Sequence, residues 1–159
     1  MKSVGIICEY NPFHNGHLKH LNMVKEMFPG YTVLLVMSGN FTERGDVSII
    51  SKWDKTEIAL KAGIDLVIEL PYFFASQSSD VFARGAIQIL HTLGAEAVVF
   101  GSESNNVNSL IQIASTCSNN KKYDKLVKAY LEEGLNYPTA LSKAIYDLTG
   151  KKISKPNDI

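Results

Sequence analysis

The sequence predicts an α/β fold in which a doubly wound parallel sheet is followed by additional C-terminal helices. Four short runs rich in Val, Ile and Leu alternate with three segments whose apolar residues recur at helical spacing. Continuous apolar runs are typical of strands buried on both faces, and alternation of strands with helices is typical of parallel sheets. Because crossovers between parallel strands are right-handed, we expect helices on both faces of the sheet.

The elements of the predicted sheet have clear boundaries. Strands are predicted at residues 3–8, 32–37, 65–70 and 95–101. The helices between them are predicted at residues 17–28, 51–63 and 78–94. Pro29 and Gly30 end the first helix, Ser51 is the expected N-cap of the second, and Gly63 is its expected stop.

The remainder of the chain shows only helical patterns, at residues 107–117, 123–133 and 138–148. A length of 159 residues suits one domain with a proper core. We therefore predict a single domain over residues 1–159, with a core of about residues 1–104 and a helical extension of about residues 105–150.

Bulk composition excludes several classes of protein. Lys and Arg together number 16, as do Asp and Glu, so no overall charge draws the chain to nucleic acid or an anionic membrane. The first apolar run is too short for a secretion signal or a membrane span, which predicts a cytoplasmic protein without a membrane partner. Cys8 and Cys117 share no metal-like spacing and are expected to be free thiols. The oligomeric state stays open.

Three of the four histidines lie in the segment EYNPFHNGHLKHL, which joins the first strand to the first helix. In open parallel sheets ligands bind outside the carboxyl ends of the strands, and a helix N-terminus there offers N–H groups to an anion. Gly16 permits close backbone approach, and Pro12 stiffens the turn. Imidazole donors suit a polyphosphate whose charge grows during displacement at phosphorus, so His14 and His17 are the predicted catalytic pair.

Other interpretations of these histidines stay open. The spacing H-x-x-H-x-x-H could bind zinc, but no acidic cluster accompanies it, and we assign no protein side chain to a metal. His20 and His91 fit ordinary structural histidines.

Polar residues follow the other strands as well. Gly101 would leave bare backbone at the end of the fourth strand for a ligand to lie against, and Ser102 and Glu103 would be polar anchors or a helix N-cap. Three residues of the neighbouring loops could contact phosphate or carboxylate, or belong to a solvated loop: Asn40, Arg44 and Lys52. Asp65 and Glu69 bracket the third strand and fit structural roles.

The motif HNGH at residues 14–17, directly after the first strand, resembles the H-x-G-H signature of the Rossmann-like nucleotidyltransferase superfamily. The similarity extends along the chain. The stretches EYNPFHNGHLKHL, MSGNFTERGD, KWDKTEIALKAGIDLVIELP, FARGAIQILHTLGAEAVVFGSE and PNDI resemble, in order, the bacterial tRNA(Met) cytidine acetate ligase family.

The resemblance implies an ATP-dependent acetate ligase that acts on tRNA. Members of that family form acetyl-adenylate and pyrophosphate from acetate and ATP, and then acetylate N4 of the wobble cytidine of elongator tRNA(Met). ATP, acetate and this tRNA are therefore the expected ligands, with Mg²⁺ on the phosphates.

The resemblance also implies an ATP site. Gly101 and Asn157 match nucleotide-binding positions of the family, and Ser102 and Glu103 lie beside the first of them. The remaining implied contacts form one stretch: Ile7, Cys8, Glu9, Tyr10, Asn11, Pro12, Phe13, His14, Asn15, Gly16, His17, Leu18, Lys19 and His20.

Members of that family are much longer, so this chain is expected to lack the second arm of the ATP site and much of the RNA-binding portion. Its remaining basic cluster is a candidate RNA contact or a solvated helix face: Lys121, Lys122, Lys125, Lys128, Lys151, Lys152 and Lys155. Two other functions stay open. The general H-x-G-H signature also permits a small-metabolite adenylyltransferase, and a shortened chain permits a nucleotide- or tRNA-binding module without turnover.

Overall fold

The computed structural model describes residues 2–102, 105–118 and 120–150. The chain divides into two compact units, Met1–Phe100 and Gly101–Ile159, close to the predicted end of the core. The single-domain organisation of residues 1–159 stays a prediction.

The first unit contains a parallel sheet with the strand order β3-β2-β1-β4. The strands are β1 (Ser3–Cys8), β2 (Thr32–Ser38), β3 (Leu66–Leu70) and β4 (Ala97–Val99). The helices are α1 (Asn15–Met27), α2 (Lys52–Ala62), α3 (Tyr72–Ala75) and α4 (Ser79–Thr92).

The register of the sheet places β1 at its centre. β1 pairs with β2 from Ser3↔Thr32 to Cys8↔Met37, and with β4 from Val4↔Ala97 to Ile6↔Val99. The winding direction therefore reverses between β1 and β4. In such sheets this reversal is the point beside which ligands bind, outside the carboxyl ends of the strands.

Two apolar clusters, one on each face of the sheet, hold the helices in place. Val33 and Leu35 belong to the cluster that buries Leu21 of α1 completely. Leu34, between them in β2, belongs to the cluster that includes Leu90 of α4. Each buried leucine stabilises the fold by about 1.5–3 kcal/mol. The predicted doubly wound α/β fold is confirmed, because helices pack on both faces.

Some boundaries differ from the predicted ones for local reasons. α1 begins at Asn15, not at residue 17, because the His14 side chain caps it. β4 is shorter than the predicted run 95–101, since the Ala95 N–H donates to the Leu90 carbonyl and closes α4. The single turn α3 follows Pro71 and is too short to show a helical period in the sequence.

The second unit is helical in its described part, with α5 (Val107–Cys117), α6 (Lys121–Glu132) and α7 (Tyr137–Thr149). Each helix begins after an asparagine whose side chain accepts a backbone N–H. α6 and α7 pack together, and the Tyr130 hydroxyl donates to Asp147. Within the described residues, no helix in either unit has the length and apolar character needed to span a bilayer.

Candidate active site

A sharp turn carries the chain from the end of β1 to the start of α1. Tyr10 has a left-handed φ of +48°, which is rare for a bulky side chain and costs about 1–3 kcal/mol. Tyr10 is only 1% exposed, and its ring meets Phe13 edge-on with 4.8 Å between ring centroids. The strained backbone is therefore held by packing in the core.

The two histidines predicted as the catalytic pair lie against each other. Their rings stack with 3.7 Å between centroids and 21° between planes. The Tyr10 ring lies 4.8 Å from the His17 ring, centroid to centroid, on the buried side of the turn. His14 is exposed and His17 is half-buried, so one edge of the pair faces solvent.

Hydrogen bonds to backbone groups orient both rings. The Gly16 N–H donates to Nδ1 of His14 over 3.1 Å, and the His14 N–H donates to Nδ1 of His17 over 3.3 Å. Since each Nδ1 acts as an acceptor, the proton of each neutral imidazole lies on Nε2, an assignment that follows from the hydrogen-bond network. The pair therefore presents two Nε2–H donors at the N-terminus of α1, where unpaired N–H groups also favour an anion.

The glycine of the motif has a steric role in this arrangement. A Cβ at Gly16 would lie 2.9 Å from Cε1 and 3.0 Å from Nδ1 of His14. Real Cβ atoms rarely approach so closely, so any larger residue would displace the ring. The spacing H-x-G-H is thus what allows the first histidine to fold back onto the helix N-terminus.

Electrostatics favour a neutral second histidine. Burial lowers the pKa of His17 below its ordinary 6.5, and His14 and His20 lower it further. Burial also lowers the pKa of His20. Near pH 7, His17 is therefore an uncharged hydrogen-bond donor at Nε2.

Two enclosed polar atoms lie close to the histidine pair. The hydroxyl of Tyr10 and Nε2 of His20 are both buried, and neither has a hydrogen-bond partner within the described part of the chain. His20 is half-buried, and its structural role stays a prediction. His91 is exposed near the end of α4. It therefore lies near the amino ends of the strands, whereas the turn lies at their carboxyl ends.

Two side chains of the predicted ATP-binding stretch bind the loop that follows β2. The Glu9 carboxylate accepts hydrogen bonds from the Ser38 hydroxyl (3.2 Å) and the Glu43 N–H (2.7 Å). The Asn11 side-chain oxygen accepts from the Ser48 hydroxyl (2.9 Å) and the Ile49 N–H (2.7 Å). These contacts join the histidine turn to the loop between β2 and α2.

The other residues of the predicted ATP-binding stretch, residues 7–20, differ in their exposure to solvent. Ile7 and Cys8 are half-buried in β1, where burial raises the pKa of the Cys8 thiol. The exposed members gather in the turn and the first part of α1, where a ligand has access: Pro12, His14, Asn15, Gly16, Leu18 and Lys19.

Lys55 is a residue of this edge that the sequence analysis missed. Its side chain is completely buried, and Nζ donates to the carbonyl oxygens of Glu9 (3.2 Å), Ser38 (2.9 Å) and Gly39 (2.8 Å). A signal for it exists in the sequence. Lys55 lies one helical turn before the buried Ala59, on the apolar face of α2.

The three loop residues predicted as phosphate or carboxylate contacts have different surroundings. The Asn40 side-chain oxygen accepts from the Lys52 N–H at 3.2 Å, and Nζ of Lys52 forms a 2.7 Å ion pair with Glu69. Nζ of Lys52 also lies 5.2 Å from the centroid of the exposed Trp53 ring. Arg44 is exposed in the loop.

Gly101 and Ser102 follow β4. A Cβ at Gly101 would meet no atom of the described residues within 4 Å, so packing against those residues does not explain the glycine. The Ser102 hydroxyl accepts from the Asn105 N–H at 3.2 Å, but Ser102 is not the N-cap of α5, because that position is Asn106. Glu103 and Asn157, the other predicted contacts of the adenosine, lie outside the described residues.

No group of three or more His, Cys, Asp or Glu side chains in the described ranges is arranged to hold a metal ion. In the histidine pair, both Nδ1 atoms already accept backbone hydrogen bonds. Cys8 and Cys117 are free thiols.

Comparison with protein families gives a match over the whole chain. The model described as HIGH Nucleotidyl Transferase matches residues 1–159. A tRNA(Met) cytidine acetate ligase of Geobacillus sp. (strain WCH70) is 48% identical, with 100% of this chain and 40% of the relative covered. The protein of the same name from Bacillus subtilis (strain 168) is 42% identical, again with 100% of this chain and 40% of the relative covered.

A solved structure shows the same similarity in three dimensions. The chain superimposes on Thermotoga maritima TmcAL bound with alpha-thio ATP with a TM-score of 0.87 and 39% identity, covering 99% of this chain and 41% of that chain. The apo form of TmcAL gives a TM-score of 0.88. The chain thus spans about 40% of the length of these relatives.

Proposed function

Because the chain belongs to the HIGH nucleotidyl transferase family, we propose that the whole protein is an ATP-dependent acetate ligase that acts on tRNA. Its product would be N4-acetylcytidine at the wobble position of elongator tRNA(Met), which would place the protein in the cytoplasm. The names of the relatives and the ATP analogue bound to TmcAL support this substrate set. The observation that carries the proposal is the stacked pair of histidines whose Nε2–H groups are left for a ligand.

The first step forms acetyl-adenylate. An acetate oxygen attacks the α-phosphorus of ATP in line with the bond to the β-phosphate oxygen; this bond breaks, and pyrophosphate leaves with the electron pair. The Nε2–H groups of His14 and His17 donate to phosphate oxygens whose negative charge grows as that bond breaks. Donors that are already oriented stabilise such charge without reorganisation, which is the basis of catalysis of this kind.

The second step transfers the acetyl group. The N4 amine of cytidine attacks the acetyl carbon, the bond to AMP breaks, and N4 loses a proton. Gly101 and Asn157 are the proposed contacts of the adenosine, with Ser102 and Glu103 beside them. Arg44, Lys52 and Asn40 are proposed to contact phosphate or carboxylate at the neighbouring edge.

We propose that Mg²⁺ would bind through the triphosphate, which the N–H groups at the N-terminus of α1 would hold. When bound, it would neutralise charge on the phosphates.

The decisive experiment is ATP–pyrophosphate exchange in the full-length protein, measured with and without acetate. Exchange that requires acetate is the expected result. Exchange that requires a phosphorylated metabolite would instead show a small-metabolite adenylyltransferase. ATP binding without exchange under either condition would show a nucleotide-binding module that lacks turnover.

A further inference from the structure

A lysine ammonium lies buried at the carboxyl edge of the sheet. The Lys55 side chain is 0% exposed, and each of its three N–H donors has a carbonyl acceptor: Glu9, Ser38 and Gly39. Burial lowers the pKa of Lys55, while the nearby Glu9 acts in the opposite direction. Removing an ammonium from water is costly, and apolar residues of similar size usually stabilise a core as well or better. The reason for a lysine here therefore lies in the three backbone carbonyls that its ammonium binds and orients.

The three acceptors share one location. Glu9 directly follows β1, Ser38 ends β2, and Gly39 begins the loop after it. These are the carboxyl ends of two neighbouring strands of the sheet, at the same edge as the histidine turn. The ammonium thus joins the end of β1 to the end of β2.

A continuous series of contacts connects this ammonium to the histidines. The Glu9 carbonyl and the Tyr10 nitrogen belong to one planar peptide, so a fixed carbonyl direction restrains the φ angle of Tyr10. That angle is +48°, in the region that bulky residues avoid. The Tyr10 ring in turn lies 4.8 Å from the His17 ring, which stacks on His14 at 3.7 Å.

We propose that Lys55 is a positioning residue, whose buried ammonium holds the Glu9–Tyr10 peptide in its strained orientation and thereby orients His14 and His17. Lys55 touches neither ring. The orientation of the two rings by Lys55 rests on the contacts described above. Only the expected effect of Lys55 on the reaction rate rests on the proposed function.

The test is the tautomeric state of the histidine rings, read from ring ¹⁵N signals of histidine-labelled full-length protein. In the wild type, Nδ1 of both His14 and His17 should give acceptor-type signals and Nε2 protonated signals. In Lys55→Met, which keeps an unbranched side chain one atom shorter but removes the ammonium, the signals of both rings should move toward those of a mixture of tautomers. Lys61→Met is the matched control, because Lys61 lies on the same helix but is exposed and paired with Glu57.

A second control separates positioning from general loss of stability. Leu90→Ala removes buried side-chain volume from the opposite face of the sheet, and should lower the unfolding temperature while leaving the ring signals unchanged. A folded Lys55→Met protein with wild-type ring signals would overturn the proposal. If that variant does not fold, Lys55→Gln is judged by the same criterion, since its shorter side chain with two donors leaves at least one carbonyl without a partner.

Kinetics provide the functional readout. In acetate-dependent exchange, Lys55→Met should lower kcat by about tenfold to a hundredfold with a smaller change in the KM for ATP, as expected when oriented groups are displaced. Exchange that needs no acetate would count against the proposed function, while the ring signals would still decide the role of Lys55. Altered ring signals with an unchanged kcat would overturn the link from Lys55 to the rate.

Discussion

The histidine turn and the lysine face of α6 both present basic side chains, but they hold them in opposite ways. At the turn, both imidazoles accept backbone hydrogen bonds at Nδ1 and stack on each other. On α6, the exposed lysines Lys121, Lys122, Lys125 and Lys128 form the lysine face, and Lys128 lies 3.9 Å from Glu132 in a long ion pair. Oriented groups can stabilise charge at one chosen atom, whereas solvated lysines supply a diffuse field that salt screens.

The largest effect is expected when the two roles of the His14 ring, helix cap and hydrogen-bond donor, are separated by mutation. His14→Ala removes both the helix cap and the Nε2–H donor, and should slow acetate-dependent exchange by about 10²–10³-fold. His14→Asn should recover the cap, worth about 0.5–2 kcal/mol of stability, without recovering the rate. Exchange rates and urea unfolding measure the two effects.

The exposed His91 provides the control for this experiment, because it lies at the other edge of the sheet. His91→Ala should retain the wild-type rate. Full activity in His14→Ala would refute the assignment of the histidine pair.

Displacing a ring without removing it should have a smaller effect. In Gly16→Ala, the added Cβ would lie 2.9 Å from His14 Cε1, so the ring must move. We expect exchange to slow by between about tenfold and a hundredfold, since small misplacements of reacting groups have effects of this size. Asn22→Ala, at an exposed position of the same helix, should leave the rate unchanged. Equal rates in the two variants would show that His14 needs no fixed orientation.

The stability of the turn should depend on pH in a defined direction. His17 has a folded-state pKa below its ordinary 6.5, so the unfolded chain binds a proton more readily. The free energy of unfolding should therefore be at its full value above about pH 6.5 and fall as the pH drops from there toward the lowered pKa. Protonation at Nδ1 would also end its hydrogen bond from the His14 N–H.

Urea unfolding between pH 7.5 and 5 measures this dependence. His17→Gln should flatten it in part, and His20→Gln should remove a further share, because burial lowers the pKa of His20 as well. A pH dependence unchanged in both variants would contradict this origin.

The smallest effect is expected at the lysine face. Replacing Lys121, Lys122 and Lys125 together by Gln should change stability by less than about 0.5 kcal/mol per site and leave acetate-dependent exchange unaltered. If these lysines contact RNA, tRNA affinity should fall and its dependence on salt should weaken by about one unit of slope per lost contact. An unchanged salt dependence would identify the cluster as a solvated face.

Much of this site could be predicted from the sequence, because its chemistry is local. The strand, the turn and the helix start that carry His14, Gly16 and His17 are contiguous, and apolar runs mark the strands on either side. Which ring nitrogen is left for a ligand could not be predicted, since it depends on the rotation of each ring toward a backbone N–H.

Contacts between segments that are distant along the chain also could not be predicted from the sequence. Lys55 meets Glu9 across 46 positions, and Asn11 meets Ile49 across 38. Both contacts arise only when the sheet brings the ends of β1 and β2 together. The same holds for Glu9, a predicted nucleotide contact, whose carboxylate accepts the Glu43 N–H across 34 positions.

The position of Trp53 has a practical consequence. It is the single tryptophan of the chain, is 73% exposed, and shares a shallow recess at the ends of β2 and β3 with Gly39 and Glu69. Indole emission responds to changes in nearby charge and solvent. The protein therefore carries an intrinsic fluorophore beside its candidate site, through which the arrival of an anionic ligand can be followed by stopped-flow fluorescence without any label.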